Sequence, residues 1–220
     1  MSKQIHAVIW DLVGVYFNDP RREIISYISR HTDKEYGVVA HTFTKSILNT
    51  DLKTGKLTFE EFIERAEEAI GYKGDILHEI DWKHAWFSRY KPRDGIEELV
   101  TEVKDKGRTN ISLSDNFREL VRYLEDEHSF MRNFDACVWS YDDHVRMRKP
   151  TVKIYRETLK VAGCEGYQSV YVDDSFENCR FAEGKLGMRP VHVEPLRDDS
   201  KVIQAIRLGL KEHGIRVRKK

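Results

Sequence analysis

Residues 5–15 read IHAVIWDLVGV, an apolar run that ends in an aspartate and a short turn. The apolar residues from Ile5 to Trp10 do not alternate strictly with polar ones, which is the pattern of a parallel strand covered on both faces. Asp11 follows this run directly. In an open parallel sheet, ligands bind beyond the carboxyl ends of the strands. The stretch therefore predicts a first buried strand with a candidate functional carboxylate at its end.

Further apolar runs predict the rest of the sheet, with helical patterns between them. The runs are rich in Val and Ile, and the fifth is the weakest; they cover residues 109–113, 136–139, 169–172 and 189–193. Helical spacing is found at residues 94–106, 116–124, 151–161 and 176–186. Strands that alternate with helices indicate right-handed crossovers. We expect an α/β fold with a Rossmann-like, three-layer α/β/α core around a parallel sheet.

The segment from residue 19 to residue 91 contains no convincing strand. Residues 21–30 have helical spacing, and Thr58 and Glu61 form a capping box before an amphipathic run. This position, between the first strand and the second, favours an all-helical cap at 19–91 inserted into a core made of 1–18 and 92–220. The alternative is that these helices simply extend the core.

Charge and composition argue against a nucleic-acid-binding, membrane or disulfide-rich protein. The 220 residues carry 37 Lys plus Arg and 37 Asp plus Glu, so no global field favours nucleic acid or an anionic membrane. The basic tail at 216–220 is typical of a solvated chain end. Three widely spaced cysteines predict neither a disulfide framework nor a zinc ribbon. With no export signal and no apolar run of roughly 18 residues, we expect a cytoplasmic protein. The sequence gives no indication of an oligomeric state.

Polar residues follow three of the predicted strands, and a lysine precedes the fourth. Each has an ordinary explanation alone: Asp11 as a turn residue, Ser114 as a helix N-cap, Lys149 as a surface lysine. Asp173 and Asp174 are harder to explain, because adjacent carboxylates repel unless a cation or donors offset the repulsion. Together the set suits phosphoryl transfer. A carboxylate attacks phosphorus, a divalent cation separates the two anions, and a hydroxyl and a lysine hold the phosphoryl oxygens.

Four segments together carry a family resemblance over nearly the whole chain: residues 8–15 (VIWDLVGV), 111–116 (ISLSDN), 148–150 (RKP) and 170–178 (VYVDDSFEN). In order and spacing they resemble the four motifs of the haloacid dehalogenase-like hydrolases. The helical block after the first motif is similar to the cap of one subgroup. Residues 53–62 (KTGKLTFEEF) and 147–150 (MRKP) look most like sugar-phosphate phosphatases similar to bacterial glucose-1-phosphatase.

The resemblance implies a magnesium-dependent phosphomonoesterase for a small phosphorylated metabolite, with a role for each motif residue. Asp11 would be the nucleophile and a Mg²⁺ ligand. Further ligands would be the backbone carbonyl of Val13, Asp174 and, in the second coordination shell, Asp173. The phosphoryl group would be bound by Ser114, Asp115, Asn116 and Lys149.

The sequence departs from the family pattern at two positions. Val13 stands where family phosphatases carry a second Asp as general acid and base. Loss of such a group typically lowers the rate by ~10²- to 10⁴-fold. Asp115 stands where Asn is common. We expect Asp115 to point away and cap the following helix; the other interpretation makes it a displaced acid.

Two other functions stay open. Val13 is compatible with a non-catalytic relative that binds a ligand or partner, and with a 2-haloacid dehalogenase, which needs neither the second Asp nor a metal. The acidic pair argues against the dehalogenase. Candidate cap residues for substrate contact are Tyr16, Asn18, His41, Thr44 and Lys45, all of which have structural explanations as well. Trp82 and Trp86, four residues apart, are expected to pack the cap.

Overall fold

The computed structural model describes residues 4–217 and contains a single five-stranded sheet; the tail residues 218–220 lie outside the described residues. All strand pairs are parallel, in the order β3-β2-β1-β4-β5. The strands are β1 Ala7–Trp10, β2 Thr109–Ser114, β3 Ala136–Trp139, β4 Ser169–Asp173 and β5 Arg189–His192. All five predicted strands are confirmed, the weakest included.

Eleven α-helices connect or flank the strands in the described part of the chain. Seven lie between β1 and β2: α1 Arg21–Thr32, α2 Tyr36–Thr44, α3 Ile47–Lys53, α4 Phe59–Ile70, α5 Ile76–Glu79, α6 Trp82–Ala85 and α7 Ile96–Asp105. Four follow β2: α8 Arg118–His128, α9 Val152–Ala162, α10 Phe176–Leu186 and α11 Asp199–Glu212. Short 3₁₀ turns occur at Phe87–Arg89, Phe130–Asn133 and Gly166–Gln168.

The sheet is buried on both faces, because successive side chains of each strand point in opposite directions. Val8 and Trp10 join one hydrophobic cluster with the buried faces of α7, α8 and α11. Ile9, between them in β1, joins a second cluster with α9 and α10. This arrangement confirms the predicted three-layer α/β/α architecture.

Residues 21–90, which hold α1–α6 and are here called the helical insertion, have an aromatic centre. Phe43, Phe59, Trp82 and Trp86 pack with ring centroids 5.5–6.4 Å apart. The predicted packing role of both tryptophans is therefore confirmed, and so is the capping box that begins α4. Phe59 also stacks on Phe117 of the core at 5.5 Å. The boundaries of a separate cap at residues 19 and 91 stay a prediction.

None of the helices between residues 4 and 217 combines the length and apolarity that crossing a bilayer requires.

Candidate active site

A cavity of about 470 Å³ lies between the carboxyl ends of the strands and the helical insertion. The sheet contributes Asp11, Ser114, Lys149 and Asp174 to its wall, so all four predicted segments meet there. The insertion contributes a mixed wall of charged, aromatic and small residues: Arg21, Ile24, Ile25, Phe43, Thr44, Asn49, Lys53, Trp86 and Tyr90. A cavity of this size holds a small metabolite rather than a single ion.

Asp11 is held at the end of β1 by two donors to one oxygen. Its Oδ1 accepts a hydrogen bond from the Leu12 amide at 2.7 Å and lies 2.9 Å from Lys149 Nζ. Burial raises the pKa of Asp11 to about 8; Lys149 opposes this rise, and Asp173 and Asp174 add to it. A cation beside this carboxyl would favour its ionised form. Oδ2 accepts no hydrogen bond from residues 4–217, so it is available for an ion or a phosphorus atom.

Lys149 connects the acidic residues. Its buried Nζ lies 2.8 Å from Asp173 Oδ2 and donates to the Leu113 carbonyl at 3.3 Å, besides its contact with Asp11. Burial alone would lower the pKa of Lys149, but the negative charges of Asp11 and Asp173 hold it well above the ordinary value. The ammonium is therefore a fixed positive charge beside Asp11.

The adjacent carboxylates of Asp173 and Asp174 have different surroundings. Asp173 is fully buried and accepts hydrogen bonds from Lys149, the Tyr171 hydroxyl, the Ser175 amide and Asn178. The Asp174 carboxylate accepts none from any described residue. Hydrogen-bond donors thus offset the charge of Asp173, whereas the Asp174 carboxylate has no donor of its own.

The three acidic residues form a group that could hold a metal ion. One carboxylate oxygen each from Asp11, Asp173 and Asp174 lies within 4.8 Å of the others. An all-oxygen set of this kind suits a hard cation such as Mg²⁺. Asp174, which lacks donors, and the second oxygen of Asp11 are the most available ligand atoms.

Gly14 makes room for Asp174. A Cβ built on Gly14 would lie 2.4 Å from Asp174 Oδ2, and the backbone φ of +94° is one that other residues rarely adopt. The glycine three residues after Asp11 is therefore required by both the turn and the carboxylate beside it.

The segment after β2 differs from the prediction. Helix α8 begins at Arg118, and its N-cap Phe117 offers no side-chain hydrogen bond, so the expectation that Asp115 caps this helix is wrong. Asp115 instead accepts hydrogen bonds from the Lys149 amide at 3.0 Å and from Arg148 Nε at 3.3 Å. Its carboxylate ties the lysine segment to the end of β2, and it lies three residues before the start of α8, too far along the chain to be the N-cap. Ser114 is likewise not the helix N-cap.

Among the predicted phosphate-binding residues, Ser114 and Asn116 both line the cavity. Asn116 is buried, and its Nδ2 donates to no atom of residues 4–217. A buried amide without a partner is costly unless something supplies an acceptor.

Only one of the five candidate cap residues, Thr44, lines the cavity. Tyr16 is buried against Glu97 and Asn133, which bond its hydroxyl at 3.3 and 2.7 Å. Asn18 bonds the backbone of Arg89 and Lys91, and both His41 and Lys45 are exposed.

Three cations in the cavity wall were not assigned a role from the sequence. They are Arg21, Lys53 and Arg148. Arg148 could have been found because it precedes Lys149 directly. Lys53 could have been found too, because it opens the segment 53–62 that resembles sugar-phosphate phosphatases. No sequence signal marks Arg21, which is one charged residue among many on a helix. Val13 also lines the cavity, so the position of the usual second Asp faces the site with an apolar side chain.

A family model described as haloacid dehalogenase-like hydrolase matches residues 5–184. The chain belongs to the haloacid dehalogenase-like hydrolases. The match spans β1, the insertion and the sheet through α10, so it includes every segment that reaches the cavity. No curated protein matches the chain at a significant level.

Solved structures share this fold at low identity. One is a family enzyme, BT-2542 of Bacteroides thetaiotaomicron, in complex with magnesium and inorganic phosphate: 20% identity, 88% of this chain and 96% of that chain covered, TM-score 0.71. Another is a predicted HAD-like family hydrolase of Porphyromonas gingivalis, with 18% identity and a TM-score of 0.71. The alignment covers 92% of this chain and 98% of that chain. The structure of a dehalogenase is similar with 16% identity and a TM-score of 0.61, and the alignment covers 88% of this chain and 86% of that chain.

Proposed function

We propose that this hydrolase is a Mg²⁺-dependent phosphomonoesterase that acts on a small phosphorylated metabolite through an aspartyl-phosphate on Asp11. The observation that carries the proposal is the convergence of Asp11, Ser114, Lys149 and Asp174 on one cavity. The first and the last of these residues, Asp11 and Asp174, are 163 positions apart along the chain. A solved relative holds magnesium and phosphate, the two ligands that this set would receive.

The reaction follows from the positions of these groups. One carboxylate oxygen of Asp11 attacks phosphorus, the bond to the leaving oxygen breaks, and the phosphoryl group is transferred to the carboxylate. Water then attacks the acyl-phosphate, which releases inorganic phosphate and restores Asp11. Lys149 and Ser114 hold the phosphoryl oxygens during both steps. Lys149 is oriented before substrate arrives by its contacts with Asp11, Leu113 and Asp173, and Ser114 by its place at the end of β2.

The residues present fit a magnesium ion. Asp11, Asp174 and the carbonyl of Val13 would hold it, with Asp173 acting through a water molecule. The bound ion supplies positive charge that lets a carboxylate approach a phosphoryl dianion. Asp173 is suited to an outer position because protein donors already occupy its oxygens.

The helical insertion would act as a cap, comprising residues 19–91, that closes the site over the substrate. The insertion contributes nine of the 22 residues that line the cavity, which supports this role. The similarity of residues 53–62 to those of sugar-phosphate phosphatases supports it too. A sugar phosphate is the substrate we would test first.

The second candidate function is ligand binding without turnover. Val13 favours it, because no acid stands where the leaving oxygen would be protonated. A 2-haloacid dehalogenase ranks third, since that chemistry makes no use of the acidic group around Asp174.

The test is turnover of a panel of sugar phosphates, other small phosphate esters and p-nitrophenyl phosphate with Mg²⁺. We expect wild-type activity that a chelator removes and that Asp11→Asn lowers by at least ~10³-fold. Asp105→Asn, an exposed carboxylate at the end of α7, should leave it unchanged. No hydrolysis of any ester would support the binding function, and chelator-resistant dehalogenation would support the third.

A further inference from the structure

Three basic residues, Arg21, Lys53 and Arg148, line the part of the cavity next to the helical insertion. Arg21 and Arg148 each have an acidic partner there. Arg21 bonds Asp19 at 2.6–2.8 Å, and Arg148 Nε lies 3.3 Å from Asp115. Lys53 differs, because its ammonium makes no hydrogen bond or ion pair with any residue from 4 to 217.

Lys53 is positioned by the fold, although its charge has no partner. Its backbone carbonyl accepts a hydrogen bond from Ser140 Oγ, a buried core residue, at 2.6 Å. Two residues later Gly55, at φ +69°, lies so close to Tyr141 that a Cβ would be 3.2 Å from the Tyr141 carbonyl. The end of α3 is thus docked on the core, and it directs Lys53 into the cavity rather than to the surface.

The surroundings of Lys53 disfavour its charge. Burial, reinforced by Arg148 and partly opposed by Asp115, lowers the pKa of Lys53 to about 8. A half-buried ammonium near two guanidinium groups is costly in the free protein. Functional sites accept such costs where a ligand later removes them.

The other charges of the cavity are assigned if the proposed function holds. Asp11 and Asp174 face the magnesium ion, and Lys149 faces the transferred phosphoryl group. Asp19 and Asp115 are engaged by arginines. The remaining acidic residue in the wall is Glu177, which is exposed. One positive charge, that of Lys53, is therefore left for the substrate to balance.

We propose that the substrate carries a second anionic group, separate from the transferred phosphoryl, and that Lys53 binds it with Arg148 and Arg21 beside it. This inference rests on the proposed function for the position of the first phosphoryl group. The second group is a carboxylate or another phosphoryl, since both present oxygen acceptors to a lysine. Neutral sugar monophosphates would be weaker substrates than their acidic counterparts.

Matched phosphonates test this inference without turnover, because their carbon–phosphorus bond is not a phosphate ester. Propylphosphonate and 3-phosphonopropionate differ only in a terminal methyl or carboxylate, as do butylphosphonate and 4-phosphonobutyrate. Calorimetric titration with Mg²⁺ present should show the carboxylate member of one pair binding about 10-fold more tightly. Propane-1,3-bisphosphonate tells whether a second phosphoryl is preferred to a carboxylate.

Two variants test whether Lys53 causes the preference for the carboxylate ligand. Lys53→Met keeps the length of the side chain and should reduce the preference to less than about 3-fold. Lys45→Met, a change at an exposed lysine outside the cavity, should retain it. Equal affinities within both wild-type pairs would overturn the proposal, and so would a preference that survives in Lys53→Met. Failure of the proposed function appears separately, as absent hydrolysis of p-nitrophenyl phosphate by the wild type.

Discussion

The two walls of the cavity differ in origin and in how their charges are paired. The sheet wall comprises Asp11, Ser114 and Asp174 at the carboxyl ends of strands, and Lys149 in the segment before α9. Lys149 there contacts two carboxylates within 3 Å. The insertion wall consists of helical residues, and its Lys53 has no partner among the described residues. Chemistry common to a family belongs on the rigid wall, where hydrogen bonds orient each group. Selection among substrates belongs on the insertion wall, where the positive charge of Lys53 has no counter-ion among the described residues.

Among substitutions that leave the nucleophile in place, the largest effect is expected from removing the positive charge of Lys149 on the sheet wall. Lys149→Met should lower kcat by ~10²- to 10³-fold, because the phosphoryl group loses a fixed donor and Asp11 loses its ion pair. It should also destabilise the fold by about 3–5 kcal/mol, since two buried carboxylates lose their partner. Lys153→Met, an exposed lysine on α9, is the control for both measurements. Unchanged kcat in a folded Lys149→Met protein would remove this lysine from the reaction.

Restoring an acid on the sheet wall should have the next largest effect. Val13→Asp should raise turnover of alkyl phosphates by up to ~10²-fold, because a poor leaving group needs a proton as its bond breaks. Turnover of p-nitrophenyl phosphate, whose leaving group needs none, should change little.

Val13→Asn is the matched control for this change, with a similar shape and no proton to give. An equal gain in Val13→Asn would mean that polarity matters rather than acidity. Absence of any gain in Val13→Asp would show that another group already protonates the leaving oxygen.

The sequence predicted the sheet wall better than the insertion wall for a physical reason. Asp11, Ser114 and Asp174 follow parallel strands, and the carboxyl ends of parallel strands meet at one edge, so a linear pattern determines their convergence. Which helical residues face a cavity depends on how the helices pack, and that packing is set by contacts such as Phe59 on Phe117. The sequence analysis therefore selected Lys45, which is exposed, as a contact residue. It gave no such role to Lys53, although Lys53 opens the segment 53–62 that carries the resemblance.

Asp115 illustrates a second limit. Its prediction as a helix cap used the correct local rule, but α8 begins further along the chain, and donors from residues 148 and 149 bind the carboxylate instead. Interactions between segments more than thirty residues apart are not encoded in local spacing.

A smaller effect should come from crowding the metal ligand. Gly14→Ala would place a Cβ 2.4 Å from Asp174 Oδ2, so the carboxylate must rotate away. The Mg²⁺ concentration that gives half-maximal turnover should rise about 10-fold. Gly71→Ala provides the matched control, because its φ of +65° is similarly strained and its Cβ would meet no atom closer than 4.0 Å. Equal magnesium dependence in both variants would mean that Asp174 does not bind the ion.

The smallest effect concerns the unpaired charge on the insertion wall. The pKa of Lys53 is lowered from 10.5 to about 8 by burial, with Arg148 and Arg21 contributing and Asp115 and Asp11 opposing. The unfolded chain therefore binds a proton between pH 8 and 10.5 that the folded protein does not. By linkage, the lysine destabilises the fold most below pH 8, and this cost diminishes as the pH rises to 10.5.

Replacing Lys53 with methionine should accordingly stabilise the free protein by about 1 kcal/mol at pH 7, after allowance for solvent screening. The gain should shrink between pH 8 and 10, where wild-type Lys53 is already neutral in the fold. Urea unfolding of both proteins across this range measures it, with Lys45→Met expected within about 0.5 kcal/mol of wild type throughout. A gain in stability that disappears when 3-phosphonopropionate and Mg²⁺ are added would connect the cost in the free protein to the anion that offsets it. If instead Lys53→Met is less stable than wild type at pH 7, the ammonium has a compensating partner, and the contrast between the two walls no longer holds.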